Sequence, residues 1–241
     1  MKGLLAYKRN RKSFYRQAAC LSTGEFAFHT YPCPADRYEP GGVASGAYFH
    51  QDLHVAQLIA KAAPTKHVDV GSRFDGFVTH VASYRQIEVL DIRPLLSTAE
   101  NVSFIQRDIM RVDEEYDDYT DSLSCLHALE HFGLGRYGDV IDYDGHLKGW
   151  ANLTRMVKRS GRLYFSVPVS EHPRVEFDAH RVFSLPYLME ILIRDDFEVL
   201  SFAFVDDNGD MHRDENPNSP LARVSFRAEY GTAIFELLRR K

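Results

Sequence analysis

The chain has 241 residues, of which 44% are hydrophobic and 26% charged, and its formal net charge is −5. A chain of this length can bury a large core, and one main domain is expected. The negative charge provides no attraction for nucleic acid, and no apolar run approaches the ~20 residues of a membrane span. Three cysteines without metal-ligand spacing favour a reducing compartment. We therefore expect a cytoplasmic protein with no membrane insertion and no nucleic-acid partner.

The composition changes near residue 45. Residues 1–45 mix basic and aromatic residues with a turn-rich segment, which predicts an irregular N-terminal arm. Residues 46–241 are expected to form the main domain. A helix opens it, because apolar residues recur at helical spacing from Phe49 to Ala63 and Pro64 stops the run.

From residue 67 onward, short apolar runs alternate with helical patterns. Strands are predicted at 67–71, 87–91, 102–107, 121–126, 162–167 and 197–205, helices at about 75–83, 145–158 and 185–194, and an acidic loop at 113–121. A loop rich in Gly, Asn and Pro (207–220) leads to a last strand at about 222–237, antiparallel to the strand before it. This order predicts an α/β fold with a Rossmann-like, doubly wound and mostly parallel sheet.

The segment from His67 to Gly76 combines a buried strand with a sharp turn at Gly71 and the start of a helix. Such a turn directs main-chain N–H groups and a helix N-terminus at one point, which suits a polar ligand. Asp91 follows Gly71 by twenty residues and closes the next strand. A carboxylate there can accept hydrogen bonds from both hydroxyls of a ribose. The pair predicts a nucleoside-containing cofactor.

The rest of the turn bears on which cofactor it suits. A dinucleotide site uses three glycines, whereas here the later positions hold Arg73, Asp75 and Gly76. Asp75 near the helix N-terminus would repel a pyrophosphate, which disfavours nicotinamide and flavin cofactors. S-adenosylmethionine contains ribose and adenine but no phosphate, and it is compatible with this turn.

Several motifs together resemble, in order and spacing, those of class I S-adenosylmethionine-dependent methyltransferases. They are VDVGS at 68–72, LD at 90–91, RDI at 107–109, CLHALEH at 125–131 and KRSGRLYFSVP at 158–168. The sequence is most similar to a poorly characterised subgroup associated with bacterial surface-polysaccharide genes, through YFHQD at 48–52 and DAHRVF at 178–183. The resemblance covers about residues 45–240.

The resemblance implies a seven-stranded sheet whose final strand is antiparallel, and it assigns roles to residues. Asp69 and Gly71 would line the methionine end of the cofactor, and Asp91 would hold the ribose. Asp108 and Ile109 would contact the adenine. The predicted cofactor-binding set is completed by Ser72, Arg73 and Ile92. We further hypothesise that Arg73 pairs with the methionine carboxylate.

Three polar residues follow the fourth strand at positions i, i+3 and i+4: His127, Glu130 and His131. On a helix they would share one face, at the edge of the sheet where doubly wound folds bind ligands. An imidazole of near-neutral pKa can take the proton from a substrate hydroxyl. His131 is the predicted catalytic base with Glu130 as its orienting carboxylate, and His127 either takes part in catalysis or contacts the cofactor. The structural alternative is a hydrogen-bonded histidine that fixes the loop.

His180 and Arg181 follow the fifth strand at the same edge, and we expect them to bind the substrate. A zinc site at the histidines that follow the fourth strand would need a third or fourth ligand, and although His172 or His180 could supply one, nothing in the spacing demands it. Asp139, Asp142 and Asp144 could bind magnesium, but a solvated loop is the preferred interpretation, so no metal is expected.

The sequence therefore predicts an S-adenosylmethionine-dependent methyltransferase that acts on a hydroxyl of a sugar or another small acceptor. One alternative is a catalytically inactive protein of the same fold that serves as a binding or scaffold subunit in polysaccharide biosynthesis. Another is an NAD-dependent oxidoreductase. The sequence leaves the acceptor and the oligomeric state open.

Overall fold

A computed structural model describes residues 3–21, 26–111, 114–194 and 196–240. Contacts divide the chain into two compact units, Met1–Ala44 and Ser45–Lys241. Residues 1, 2 and 22–25 of the expected N-terminal arm, and Asp113 of the expected acidic loop, lie outside the described residues.

The first unit corrects the expectation of an irregular arm, because it contains the 18-residue helix α1 (Leu4–Leu21). This segment has neither Gly nor Pro and is rich in Leu, Ala, Lys and Arg, which form helices at little cost. Its basic and aromatic composition concealed that propensity. Within this unit the rings of Phe14 and Phe28 lie 5.5 Å apart, edge to face.

The first unit also has a 3-10 turn at Asp36–Tyr38, and among the described residues the other α-helices and all the strands belong to the second unit. The longer helices are α2 (Ala47–Ala62) and α4 (Gly145–Met156). The short helix α3 (Thr79–Ala82) follows a π-helical segment at Phe74–Val78. The short helix α5 (Leu185–Tyr187) is followed by a second π-helical segment at Leu188–Ile193. The strands are β1 (His67–Val70), β2 (Ile87–Asp91), β3 (Val102–Gln106), β4 (Thr120–Leu126), β5 (Val157–Val169), β6 (Arg174–Glu176), β7 (His180–Val182), β8 (Phe197–Val205), β9 (Met211–His212) and β10 (Gly231–Arg239).

The main sheet has the order β3-β2-β1-β4-β5-β10-β8-β9. Strands β1 to β5 run parallel, and β10 pairs antiparallel with both β5 and β8. The prediction of a mostly parallel, Rossmann-like sheet with a C-terminal antiparallel hairpin is confirmed. An eighth, two-residue strand, β9, comes from the predicted loop, and β6 and β7 form a separate hairpin.

The last strand begins at Gly231 rather than near residue 222. Residues 222–227 instead form 3-10 turns, in which Ser225, Phe226 and Arg227 have φ between 48° and 59°. This left-handed conformation cannot continue a strand. The apolar residues of this segment had predicted a strand.

The core lies on both sides of the sheet. Side chains alternate along a strand, so Tyr164 packs with Val55 and Ile59 of α2 on one face, whereas Phe165 packs with Trp150 of α4 on the other. The Trp150 indole also donates to the Leu192 carbonyl oxygen at 2.6 Å. No helix in the described part of the chain combines the length and apolar character that a membrane crossing needs.

Candidate functional site

A cleft opens at the carboxyl ends of β1 to β4, where the topology brings the ends of the parallel strands together. Its lining includes eight of the predicted site residues: Gly71, Arg73, Asp91, Ile92, Asp108, Ile109, His127 and His131. Tyr48, Arg93, Arg107 and Tyr137 also line it. The predicted site residues that do not line it are Asp69, Ser72, Glu130, His180 and Arg181.

The turn after β1 depends on two glycines. Gly71 has φ of +71°, and a Cβ there would lie 2.9 Å from the Ala128 Cβ. At Gly76 an added Cβ would lie 2.7 Å from Oδ2 of Asp52 on α2. The turn therefore packs closely against the segment after β4 on one side and against the Asp52 side chain of α2 on the other.

Asp69 supports this turn from inside the protein. Its carboxylate is fully buried and accepts from the Ser72 main-chain N–H (3.1 Å), the Ser72 hydroxyl (2.7 Å) and the Ser124 hydroxyl. Burial raises the pKa of Asp69 to about 6. Because Asp69 and Ser72 bond each other, they fix the shape of the turn, and a direct contact between either residue and a cofactor stays a prediction.

A buried histidine extends the same network. His67 lies 2.8 Å from the Ser122 hydroxyl through Nδ1 and 3.2 Å from the Ser124 hydroxyl through Nε2. Burial lowers the pKa of His67 to about 3. A neutral imidazole thus joins β1 to β4 beneath the cleft.

Arg73 already has a partner within the turn. Its guanidinium lies 3.1 Å from Oδ2 of Asp75 and 5.4 Å from the ring centroid of Tyr48. Both charged side chains are more than half exposed, so the pair contributes little to stability. A ligand carboxylate can exchange with Asp75 at small cost, and the predicted pairing of Arg73 with the methionine carboxylate remains a hypothesis.

Asp91 is bound by an arginine that the sequence reasoning missed. Arg93 donates from Nε to Oδ1 (3.0 Å) and from Nη2 to Oδ2 (2.6 Å), and its main-chain N–H also donates to Oδ1 (2.8 Å). The guanidinium lies 4.5 Å from the ring centroid of Tyr137. The only signal in the sequence was an opposite charge two residues after the strand end.

Asp108 and Ile109 stand at the end of β3. Asp108 accepts from the Met110 main-chain N–H at 2.9 Å and lies 3.7 Å from Nε of Arg111. The Ile109 side chain is buried, and its carbonyl oxygen accepts from the Asn152 side chain at 2.7 Å. Asp108 therefore caps its own turn, and Ile109 adds an apolar surface to the cleft.

His127, Glu130 and His131 come together without the expected helix. Only Leu129–His131 forms a 3-10 turn, and His127 has φ of +50°. His127 Nδ1 donates to Oε1 of Glu130 at 3.0 Å, and its Nε2 lies 3.3 Å from the Thr232 hydroxyl. Glu130 thus orients His127, whereas it was expected to orient His131. Oε2 of Glu130 is buried without a hydrogen-bond partner in the described structure.

The proton of His131 is fixed on one nitrogen. Nδ1 lies 2.7 Å from the Ala179 carbonyl oxygen, which can only accept, so Nδ1 carries the hydrogen. In the neutral ring Nε2 then has a free lone pair, 3.9 Å from Oε1 of Glu130. Burial lowers the pKa of His131, and the nearby Glu130 carboxylate opposes that shift. His131 therefore presents a hydrogen-bond acceptor to the cleft.

His180 and Arg181 lie on β7. His180 Nε2 is 3.1 Å from the Glu176 carboxylate, and its ring packs near Tyr230 and His131. Arg181 is buried and donates to the carbonyl oxygens of Phe132 (2.6 Å) and Tyr143 (3.0 Å). Its guanidinium thus ties the hairpin to the segment after β4. Direct substrate contact by either residue stays a prediction.

The acidic residues after β4 are engaged in structural contacts. Asp139 accepts from the main-chain N–H groups of Gly133 (2.7 Å) and Gly135 (3.2 Å), and Asp142 pairs with Lys148. Within the described ranges, no group of three or more His, Cys, Asp or Glu residues is arranged to hold a metal ion.

Solved structures share this fold over most of the chain. The 1,6-didemethyltoxoflavin-N1-methyltransferase of Burkholderia thailandensis, solved with S-adenosylhomocysteine, aligns with a TM-score of 0.54, 15% identity and 79% coverage of each chain. The N-methyltransferase NodS of Bradyrhizobium japonicum, also solved with S-adenosylhomocysteine, aligns with a TM-score of 0.54 and 10% identity, and the alignment covers 81% of this chain and 89% of NodS. The [4+2]-cyclase SpnF aligns with a TM-score of 0.53 and 17% identity, and the alignment covers 80% of this chain and 84% of SpnF.

These similarities show that the fold is that of the class I methyltransferases, and the cyclase shows that this fold also occurs in a protein named for another reaction. No curated protein matches the sequence. A family model described as "Caenorhabditis protein of unknown function, DUF268" matches residues 80–213. Because this match spans more than half of the residues, the chain belongs to the DUF268 family.

Proposed function

We propose that the protein is an S-adenosylmethionine-dependent methyltransferase that methylates a hydroxyl group of a sugar or another small acceptor. One observation carries the proposal: a single cleft joins the Gly71 turn and two strand-end carboxylates with the unprotonated Nε2 of His131. The structures with S-adenosylhomocysteine support the cofactor, since their fold is the same.

The residues of the cleft fit an adenosyl group. Asp91 and Asp108 end neighbouring strands, β2 and β3, and both line the cleft. Apolar surface between them comes from Leu90, Ile92 and Ile109. In this proposal Asp91 receives the ribose hydroxyls, and the apolar residues with Asp108 receive the adenine. Gly71 brings main-chain atoms to the cleft wall, where an added Cβ would lie 2.9 Å from the Ala128 Cβ.

The proposed chemistry requires little covalent work from the protein. When bound, S-adenosylmethionine would supply a methyl group activated by its sulfonium, and the sulfur would leave with the bonding electrons as the thioether of S-adenosylhomocysteine. The residues of the chain hold the acceptor in line and remove the proton of its hydroxyl. His131 Nε2 accepts this proton as the oxygen becomes an ether, and Nδ1 keeps its hydrogen bond to the Ala179 carbonyl oxygen. The nearby Glu130 carboxylate stabilises the imidazolium that forms.

The sugar acceptor and a role in polysaccharide biosynthesis are parts of this proposal that rest on the sequence resemblance. The cytoplasmic location rests on the cysteine content and on the lack of a long apolar run in the sequence. The free lone pair of His131 Nε2 favours an acceptor that donates a hydrogen bond, as a hydroxyl group does.

Calorimetric titration with S-adenosylhomocysteine tests the proposal. We expect micromolar binding by the wild type and at least about tenfold weaker binding by Asp91→Ala, since a lost hydrogen bond to a charged group costs ~1.5–3 kcal/mol. Asp117→Ala is the matched control, because Asp117 also pairs with an arginine, Arg155, but stands outside the cleft. Its affinity should equal that of the wild type.

The alternatives give different results in the same experiment. A scaffold protein would not bind S-adenosylhomocysteine, and an oxidoreductase would bind NAD(H) instead. If the folded wild type binds neither ligand, the methyltransferase proposal fails in favour of the scaffold.

A further inference from the structure

The Asp91–Arg93 pair uses the same atoms that a ribose would need. Arg93 bonds both carboxylate oxygens of Asp91 through two guanidinium nitrogens. The Asp91 side chain is only 12% exposed, whereas that of Arg93 is 46% exposed. The guanidinium therefore covers the carboxylate from the open side of the cleft.

A second contact holds Arg93 in this position. Its guanidinium lies 4.5 Å from the ring centroid of Tyr137, which belongs to the segment after β4. Arg93 follows β2, so the side chain links two walls of the cleft. A guanidinium over the face of an aromatic ring is attracted to the ring electrostatically. The contacts with Asp91 and with Tyr137 thus both hold the guanidinium over the carboxylate.

We propose that Arg93 acts as a latch on Asp91, the carboxylate that would bind the ribose, and that it thereby determines ligand specificity. Its guanidinium leaves Asp91 before a ribose diol binds there, so the latch lowers the affinity for ligands that need Asp91 and leaves other ligands unaffected. This inference rests on the proposed function, since it takes the ligand to be an adenosine derivative.

The latch has a defined thermodynamic consequence. The observed affinity is the intrinsic affinity multiplied by the fraction of protein in which Arg93 has released Asp91. Arg93→Ala makes that fraction one. A half-exposed, bidentate ion pair is worth about 1 kcal/mol, so the affinity for S-adenosylhomocysteine should rise about three- to tenfold. Adenine has no ribose, and its affinity should not change.

The test is calorimetric titration of S-adenosylhomocysteine and of adenine into four proteins. These are the wild type, Arg93→Ala, Arg93→Lys and the control Arg155→Ala. Arg155 pairs with Asp117 at 2.7 Å outside the cleft, and its side chain is 42% exposed, close to the 46% of Arg93. Arg93→Lys keeps the charge and loses the bidentate geometry, so its affinity should lie between those of the wild type and Arg93→Ala.

Two further measurements identify the carboxylate involved. Arg93→Ala should give no gain when it is made in an Asp91→Ala background. In NMR spectra, the Arg93 Nε–H signal, assigned by its loss in Arg93→Lys, should shift when S-adenosylhomocysteine is added.

The outcomes separate this inference from the proposed function. If S-adenosylhomocysteine binds the wild type and Arg93→Ala equally, or the variant more weakly, the latch is overturned and the proposed function stands. An equal gain for adenine also overturns the latch. Binding by Arg93→Ala alone supports both ideas, and binding by neither protein rejects the proposed function as well.

Discussion

His131 differs from the other histidines of the cleft region because its donor nitrogen is committed to a main-chain carbonyl. His127, in contrast, has both ring nitrogens engaged, by Glu130 and Thr232. Of the two, only His131 can accept a proton from a substrate without first breaking a hydrogen bond. His127 thus matches the structural alternative, a histidine that fixes the loop.

Replacement of His131 by Asn should separate catalysis from binding. The amide can still donate to the Ala179 carbonyl oxygen, but it cannot accept a proton from the acceptor. We expect kcat to fall by about 10²-fold or more, with S-adenosylhomocysteine affinity within about twofold of the wild type. His212→Asn, at an exposed pair with Asp206, is the control. A large loss of cofactor affinity in His131→Asn would contradict the assignment of His131 as a base.

The pH dependence of the reaction should reflect burial of the same histidine. A base works only in its deprotonated form, and burial lowers the pKa of His131. The acidic limb of kcat/KM is therefore expected below the ordinary histidine value of about 6.5. The measurement is a pH–rate profile of the wild type. A limb above that value would mean that the Glu130 carboxylate outweighs burial.

The sequence predicted residues whose role follows from chain position, and it missed contacts that depend on side-chain direction. Gly71 and Asp91 stand where a strand–turn–helix unit requires them. The Arg93–Asp91 pair depends on a rotamer and on Tyr137 from a distant segment. The three carbonyl oxygens around Arg181 likewise come from residues 38 to 51 positions away. A pattern of residue types does not encode such distances.

At the scale of elements, the turn after β1 is the part of the site whose shape follows most directly from the sequence. Gly71→Ala should destabilise the protein for two reasons, because a left-handed φ costs about 1–2 kcal/mol and the new Cβ would lie 2.9 Å from that of Ala128. The double variant with Ala128→Gly removes the second cost only. We expect thermal unfolding to show a partial recovery in the double variant.

Gly138 provides a matched control for this series. Its φ is +85°, and nothing lies within 4 Å of an added Cβ. Gly138→Ala should therefore show the backbone cost alone. If Gly71→Ala is no more destabilising than Gly138→Ala, close packing of the turn against Ala128 does not contribute.

Element prediction succeeded where periodicity and burial agree. The strands at 67–71, 87–91 and 121–126 are short apolar runs that end at the cleft, and each is found within a residue or two. None of the side chains described for residues 4–20 of helix α1 is buried, and the segment shows no clear apolar stripe, so hydrophobic periodicity gave no signal for it. The start of β10 was misplaced because Ala222, Val224 and Phe226 alternate with polar residues, as the residues of a half-buried strand do.

At the scale of the whole molecule, the buried network of Asp69 and His67 links stability to pH. A rise in the pKa of Asp69 from 3.8 to about 6 means that folding favours the protonated form, so stability falls as pH rises through this window. The pKa of His67 falls from 6.5 to about 3, so its contribution rises with pH between those values. Between about pH 4 and 6, the contribution of Asp69 to the free energy of unfolding therefore falls with pH while the contribution of His67 rises.

Asp69→Asn should separate the contribution of Asp69 to the pH dependence of stability from that of His67. Without Asp69, only the rising contribution of His67 remains between about pH 4 and 6. The free energy of unfolding of the variant, relative to the wild type, should therefore increase by about 3 kcal/mol across that range. Urea unfolding at several pH values measures the difference. A difference that does not vary with pH would show that Asp69 does not titrate there.

The position of β10 has a consequence for synthesis on the ribosome. Strands β1 to β5 can pair as soon as they emerge, but β8 joins them only through β10, which lies between β5 and β8. A nascent chain that ends before residue 231 leaves one edge of the 13-residue β5 without its partner. Unpaired strand edges invite association with other chains. The interval before residues 231–239 emerge is therefore when this protein most needs a chaperone.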